Sequence, residues 1–130
     1  MTLTDVLRGV TLRGAVPAEL GSVDIRGLAY DSRRVEPGFI FFAFPGAHVD
    51  GRQFANQALE NGASAIISEL EPSEARASKW IRVEHGRRTL ATAAGNFYGH
   101  PDRQLGVTGI TGTNGKTTTS YIIDSVLRAA

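Results

Sequence analysis

The sequence predicts an α/β protein: a small domain with a mostly parallel sheet flanked by helices, then the first strand–loop–helix unit of a second domain. Three observations predict it. FIFFAF (39–44), SAIIS (64–68) and WIRV (80–83) are short apolar runs of strand length, and the first is apolar enough for a strand buried on both faces. Stretches with helical spacing separate such runs, and strand–helix alternation implies a parallel sheet. Near the end stands GITGTNGKTTTS (109–120), a glycine-rich loop between an apolar run and a helical one.

The elements follow in order. Residues 3–8 (LTDVLR) predict a short helix, with Thr4 as its N-cap. VDIRGLAYD (23–31) alternates as a strand does, and Pro37-Gly38 marks a turn before FIFFAF. A helix is expected from about Arg52 to Asn61, with Asp50 as a cap and Gly62 just past its end. Phe54, Ala55, Ala58 and Leu59 share its apolar face. SAIIS and WIRV are the next strands, and EPSEARAS is the polar connection between them. RRTLATAAGNFYG is helical, with Leu90, Ala94 and Phe97 on one side, and Pro101 stops it. LGVTGI (105–110) reads as a strand leading into the glycine loop, and a helix then runs through Leu127. A domain boundary is expected at residue 84, giving units 1–84 and 85–130.

Composition narrows the function classes. The chain has 130 residues, 42% of them hydrophobic, and a net charge of +1, which fits a globular protein. Lys and Arg form no run that would mark a nucleic-acid or membrane surface. No window reaches the roughly 20 apolar residues of a membrane helix, and no signal-peptide core opens the chain. Cysteine is absent, which removes disulfides and thiolate metal sites. A cytoplasmic location is the expectation. The sequence sets no oligomeric state.

The glycine loop carries the chemistry. Polyphosphate needs donors arranged around dense negative charge. A glycine-rich turn exposes successive backbone N–H groups, and the following helix adds its unpaired first-turn N–H groups and a partial positive charge. A lysine at the helix start reaches the β- and γ-phosphates, and a hydroxyl after it ligates Mg²⁺. Gly112, Gly115, Lys116 and Thr117 supply these parts. The chain's only lysines are Lys79 and Lys116, so the one in the loop stands out. The spacing departs from G-x-x-x-x-G-K-[ST], because Ile110 stands where the first glycine belongs.

That variant, T-G-T-N-G-K-T-T (111–118), resembles the ATP loop of the Mur ligases and their relatives. Thr117-Thr118 after the lysine favours the cell-wall branch over folylpolyglutamate synthetases. Upstream, D-S-R-x-V-x-P-G (31–38) runs into F-x-A-F-P-G (41–46), then Asp50-Gly51 and, before the loop, F-Y-G-H-P (97–101). Together these are most similar to the UDP-N-acetylmuramoyl-tripeptide synthetases, the MurE type. The resemblance implies an ATP- and Mg²⁺-dependent ligase of cytoplasmic peptidoglycan synthesis. Such enzymes activate the D-Glu carboxylate of UDP-N-acetylmuramoyl-L-alanyl-D-glutamate as an acyl-phosphate, which a diamino acid amine then attacks. It also implies that Tyr30 and Ser32 contact the UDP end, and that Ala47, His48 and Val49 line the uridine pocket. The loop carries over as Gly112, Thr113, Asn114, Gly115, Lys116, Thr117 and Thr118, with Lys116 catalytic and Thr117 on the metal.

Mur ligases have three domains, so the resemblance implies the N-terminal part of a longer enzyme: the first domain and the opening of the ATPase domain. Such a part is expected to bind the UDP substrate without turnover, with the chain from about Leu105 onward disordered or rearranged. A MurF-type or other Mur-like amide ligase, or a stand-alone UDP-substrate module, are the alternatives. Plainer roles stand beside these. Ser32 can bond locally, Arg33 can pair with Asp31 or Asp50, and His48 can be an exposed loop residue. His85 and His100 read as a solvated turn and a helix end, and Trp80 and the phenylalanines of 39–44 as core.

Overall fold

The computed structural model describes residues 1–46, 50–72 and 74–129. Four parallel strands form one sheet in the order β1 (Gly27–Ala29), β2 (Phe39–Ala43), β3 (Ala65–Ser68), β4 (Trp80–Arg82). Helix α1 (Leu3–Val6) precedes the sheet, and α2 (Ala55–Glu60) connects β2 to β3. Helix α3 (Gly86–Phe97) follows β4, and α4 (Lys116–Ala129) ends the described chain.

The pleat explains why β2 and β3 are almost wholly apolar. Successive side chains point to opposite faces, and both faces are covered. Ile40, Phe42, Ala65, Ile67 and Ile81 join Leu3, Val6, Leu20, Ile25, Val83 and Ala93 in one core. Phe41, Ala43, Ile66 and Trp80 join Ala29, Val35, Ala55, Ala58 and Ala63 in the other. A strand buried on two sides has no position left for a solvated residue, so FIFFA and AIIS read as unbroken apolar runs. The one polar exception, Ser68, is buried, and its hydroxyl donates to the Ala43 carbonyl at 2.9 Å.

Turn chemistry holds the crossovers. Gly62 sits at φ +94° just past α2, a left-handed conformation that glycine adopts without a Cβ penalty. A Cβ there would also lie 2.9 Å from Pro37 Cα. The Pro37-Gly38 turn thus packs directly on the end of α2, and Gly38 N–H donates to the Gly62 carbonyl at 3.1 Å. At the start of α1 the cap is Thr2, not Thr4. Thr2 Oγ1 accepts from the Asp5 N–H, while the Thr4 hydroxyl donates to the Gly21 carbonyl. On α2, Ala55 and Ala58 are buried as expected, but Phe54 is 41% exposed, in a 3-10 turn (Gly51–Phe54) ahead of the helix.

Helix α3 belongs physically to this sheet, although it lies beyond the boundary expected at residue 84. Leu90, Ala93 and Phe97 pack on the first core; Ala93, rather than Ala94, is the fully buried position. Glu69, just past β3, accepts from the Gly86 N–H at 2.7 Å. At the other end, Asn96 Nδ2 donates to the Val6 and Arg8 carbonyls, both at 2.9 Å. Those two acceptors are carbonyls at the end of α1, which a helix terminus leaves without an internal partner.

The last segment behaves differently. LGVTGI (105–110) forms no strand, because no neighbouring strand offers it a ladder. Helix α4 is formed within the segment expected to be disordered or rearranged from Leu105 onward, and it buries no residue. Its bonds are local: Arg128 Nε to Asp124 Oδ2 at 2.8 Å and the Ser120 hydroxyl to the Thr117 carbonyl at 2.7 Å. Ile122, Val126 and Leu127 remain more than half exposed.

The packing of α3 gives a direct test. A chain ending at Gln104 should unfold in urea as cooperatively as the full chain. A chain ending at Glu84 should lose at least about 2 kcal/mol, the burial of one or two large apolar side chains. Equal stability of the two truncated forms would show that α3 contributes nothing to the first core.

Candidate functional site

Parallel α/β sheets hold ligands beyond the carboxyl ends of their strands. Here the chain leaves β1 as Tyr30-Asp31-Ser32-Arg33 and leaves β2 toward Asp50-Gly51-Arg52. Both exits use the same local device. Asp31 caps the 3-10 turn Ser32–Arg34, and its Oδ1 accepts from the Arg33 N–H at 3.0 Å. The Arg33 side chain folds back on the same carboxylate, with Nη2 2.7 Å from Oδ2. Asp50 repeats this with Arg52: its Oδ1 accepts the backbone N–H at 2.9 Å and its Oδ2 the Nε at 2.7 Å. Each aspartate therefore fixes a turn by satisfying an orphan N–H and anchoring a cation. The expected Arg33–Asp31 and Asp50 cap readings are both observed.

Gly51 is required by close approach. A Cβ there would lie 2.5 Å from the Phe44 carbonyl oxygen and 2.8 Å from its nitrogen. The Gly51 N–H donates to that carbonyl at 3.0 Å, and Pro45 and Asp50 bridge as antiparallel neighbours. The loop after β2 is thus closed at its base. Ala47, His48 and Val49, expected to line the uridine pocket, lie outside the described residues.

Tyr30 and Ser32 do come together. They line a cleft of about 500 Å³ with Asp31, Arg33, Phe54 and Gln57. Ser32 is 5% exposed, whereas the Tyr30 ring is 67% exposed. Helix α2 holds the serine from behind. The Ser32 hydroxyl donates to Gln57 Oε1 at 2.6 Å, and Asn61 Nδ2 donates to the Ser32 carbonyl at 2.9 Å. A second cleft of about 400 Å³ runs along the free edge of β1, between Tyr30, Arg34, Glu36 and Phe39. Sequence reasoning missed Gln57 and Phe54 as cleft residues. The available signal was the spacing of Gln57 and Asn61, four apart and so neighbours on one helix face.

The glycine loop occupies 109–115 and leads straight into α4, whose first residue is Lys116. Gly115 has φ +75°, a left-handed turn with open space where a Cβ would project. Lys116 Nζ folds back across the loop and donates to the Gly112 carbonyl at 2.6 Å. The lysine thereby closes the turn with its ammonium over the loop. The first-turn N–H groups of α4 have no intrahelical partner. This fits a polyphosphate: donors, a helix N-terminus and a cation share one short segment, and every residue from 111 to 120 is exposed. Thr117 lies second in the helix, where a hydroxyl can face a phosphate-bound cation. Among the described residues no group of three or more His, Asp or Glu could hold a metal ion. His85 caps α3 without a side-chain bond, and His100 lies against Asn96 Oδ1 at 3.1 Å.

By its fold this is a parallel α/β protein with a ligand-sized cleft at the strand ends, followed by a lysine-bearing glycine loop. The chain belongs to the Mur ligase family: residues 24–98, more than half of it, match the model of the "Mur ligase family, catalytic domain". The matched stretch lies ahead of the glycine loop. A UDP-N-acetylmuramoyl-L-alanyl-D-glutamate–2,6-diaminopimelate ligase from Solibacter usitatus is 58% identical over the whole chain, which spans 26% of that relative. The ligase of the same name from Syntrophomonas wolfei is 39% identical, again with 26% of its length covered. A UDP-N-acetylmuramyl-tripeptide synthetase from a Roseiflexus species is 43% identical over 87% of the chain and 23% of its own length. The chain thus spans about a quarter of the curated relatives it matches. Among solved structures, MurF from Acinetobacter baumannii aligns over 81% of this chain and 22% of its own, at 31% identity and TM-score 0.63. MurF ligase from Thermotoga maritima, in complex with ADP, aligns over 72% and 21%, at 36% identity and TM-score 0.56. The MurF likeness is one of shared family fold, and the named sequence relatives do not favour a MurF-type assignment.

The Arg33 pair makes a measurable electrostatic statement. The side-chain hydrogen bond from Arg33, helped by its backbone N–H, lowers the Asp31 carboxyl to about 2. A carboxylate held below its unfolded value near 3.9 stabilises the fold above that pH. Its contribution fades as pH falls from about 4 through about 2. NMR titration of the Asp31 carboxyl carbon should give a midpoint near 2, and Arg33→Ala should move it up toward the ordinary range. An unmoved midpoint in the variant would break the pair's claim on the turn.

Proposed function

We propose that the chain is the UDP-substrate part, with the opening of the ATP-binding part, of a ligase of cytoplasmic peptidoglycan synthesis. The ligase joins a diamino acid to UDP-N-acetylmuramoyl-L-alanyl-D-glutamate, through an acyl-phosphate at the D-Glu carboxylate. The added amino acid is read as 2,6-diaminopimelate. The observation that carries this is the 58% identity, over all 130 residues, to a ligase bearing that substrate in its name. Residues 1–84 together with α3 form the substrate unit in this reading, and the segment from about Leu105 opens the nucleotide unit. No nucleic acid or membrane surface is assigned. No helix is long and apolar enough to cross a membrane among the described residues.

Within that reading Tyr30 and Ser32 hold the UDP end, and the run Ala47, His48 and Val49 is assigned to the same pocket. Gly112 to Thr118 cradle the ATP phosphates. Lys116 releases the Gly112 carbonyl and stabilises charge on the transferring phosphoryl group. Thr117 offers its hydroxyl to Mg²⁺, which would neutralise charge between the phosphates.

Two measurements test the two halves separately. Calorimetric titration of UDP-N-acetylmuramoyl-dipeptide should weaken about fivefold in Ser32→Ala, the loss of one polar contact. Equal affinity removes Ser32 from the site. Titration of ADP with Mg²⁺ should weaken at least about tenfold in Lys116→Ala, since a charge-assisted bond to phosphate contributes about 1.5–3 kcal/mol. Unchanged ADP affinity in that variant would sink the phosphate-loop assignment.

A further inference from the structure

Helix α2 dictates the hydrogen-bonding sense of the cleft beside β1. A serine hydroxyl has one proton to give and two lone pairs with which to accept. Ser32 gives its proton to Gln57 Oε1 at 2.6 Å, so only acceptor capacity is left for a ligand. The Gln57 amide nitrogen has no partner among the described residues, and it carries two donors. The pair therefore presents an acceptor next to a donor. Two exposed aromatic rings, Tyr30 and Phe54, line the same cleft. Flat faces of this kind favour a planar heterocycle by stacking, whichever base it is. The polar pair then selects among bases, because a donor meeting a donor, or an acceptor an acceptor, is left unpaired and costs affinity.

We propose that Gln57, acting with Ser32, is a specificity-determining residue that selects a uracil base by its imide edge. The ring N–H of uracil donates to Ser32 Oγ, and the adjacent ring carbonyl accepts from Gln57 Nε2. Cytosine presents the opposite pattern along that edge, a bare ring nitrogen beside an amino group, and is disfavoured. Phosphate oxygens, which only accept at neutral pH, are excluded as partners of Ser32. Asn61 acts on the backbone of the same residue: its bond to the Ser32 carbonyl holds the turn against α2. This inference rests on the proposed binding of a UDP substrate in this cleft.

The experiment is calorimetric titration of UDP, CDP and 3-methyl-UDP into the 130-residue chain and into Ser32→Ala, Gln57→Leu and Gln57→Glu. Circular dichroism confirms that each variant is folded. The unchanged chain should prefer UDP to CDP and to 3-methyl-UDP by about fivefold or more, at about fivefold per lost polar contact. Gln57→Leu should reduce the preference over CDP by about fivefold. Gln57→Glu keeps an acceptor for the Ser32 hydroxyl but offers the base no donor, so it should shift preference toward CDP. Its added charge acts on UDP and CDP alike and cancels in their ratio, and a merely structural glutamine would leave that ratio unmoved. An unchanged UDP-to-CDP ratio in both Gln57 variants, with UDP still weakened by Ser32→Ala, overturns the inference and spares the binding reading. Absence of UDP binding, or equal UDP affinity in Ser32→Ala, overturns both.

Discussion

Burial of one small parallel sheet on both faces is the constraint on which this structure depends. A four-stranded sheet with strands of three to five residues has little area, so almost every strand residue must contribute to a core. Phe41 and Phe42, adjacent in sequence, go to opposite sides and are each 1% exposed. One side is closed by α1, α3 and the chain around Leu20 and Ile25, the other by α2 and Val35. With both faces and most connections committed to packing, the carboxyl ends of the strands are where functional groups can be displayed. The site follows from the packing.

At those ends the backbone is shaped by charge. Asp31 and Asp50 each close a 3-10 turn through a main-chain N–H and tie down the arginine two residues on. Both carboxyls are held below the usual carboxylate range by their arginine partners. Exposed pairs of this kind add little to global stability. Their consequence is local: Asp31 closes the turn after β1 through the Arg33 N–H, and Ser32 within that turn faces Gln57. Order in a binding cleft lowers the cost of ordering it again when a ligand arrives.

The glycine loop and α4 show how far local interactions reach without a core. The loop closes on itself through Lys116 and the Gly112 carbonyl, and the helix carries its own ion pair. Neither requires the sheet. An apolar stripe of Tyr121, Ile122, Val126 and Leu127 nevertheless remains exposed. In water a helix of this length gains most of its stability from packing. The loop's geometry is therefore a local property, whereas its rigidity depends on what meets that stripe.

The sequence by itself determined whatever is encoded locally. Apolar runs marked β2, β3 and β4, Gly62 marked the end of α2, Asp50 marked a cap, and Gly-Lys-Thr marked the start of α4. Each of these depends on a residue and its immediate neighbours. The family was legible too, because its two motif blocks are contiguous. Tertiary structure decided what depends on distant partners. LGVTGI has the composition of a strand, but a strand exists only with a neighbour, and this one has none among the described residues. Helix α3 lies beyond the boundary expected at residue 84, and what it packs on was settled by distant partners: Asn96 ties it to the end of α1 and Glu69 to the chain just past β3. Thr2 displaced Thr4 as a cap because the Thr4 hydroxyl found the Gly21 carbonyl seventeen residues away. Gln57 was not singled out in the sequence. Only the fold laid it against Ser32, twenty-five residues earlier, where the Ser32 hydroxyl donates to Gln57 Oε1.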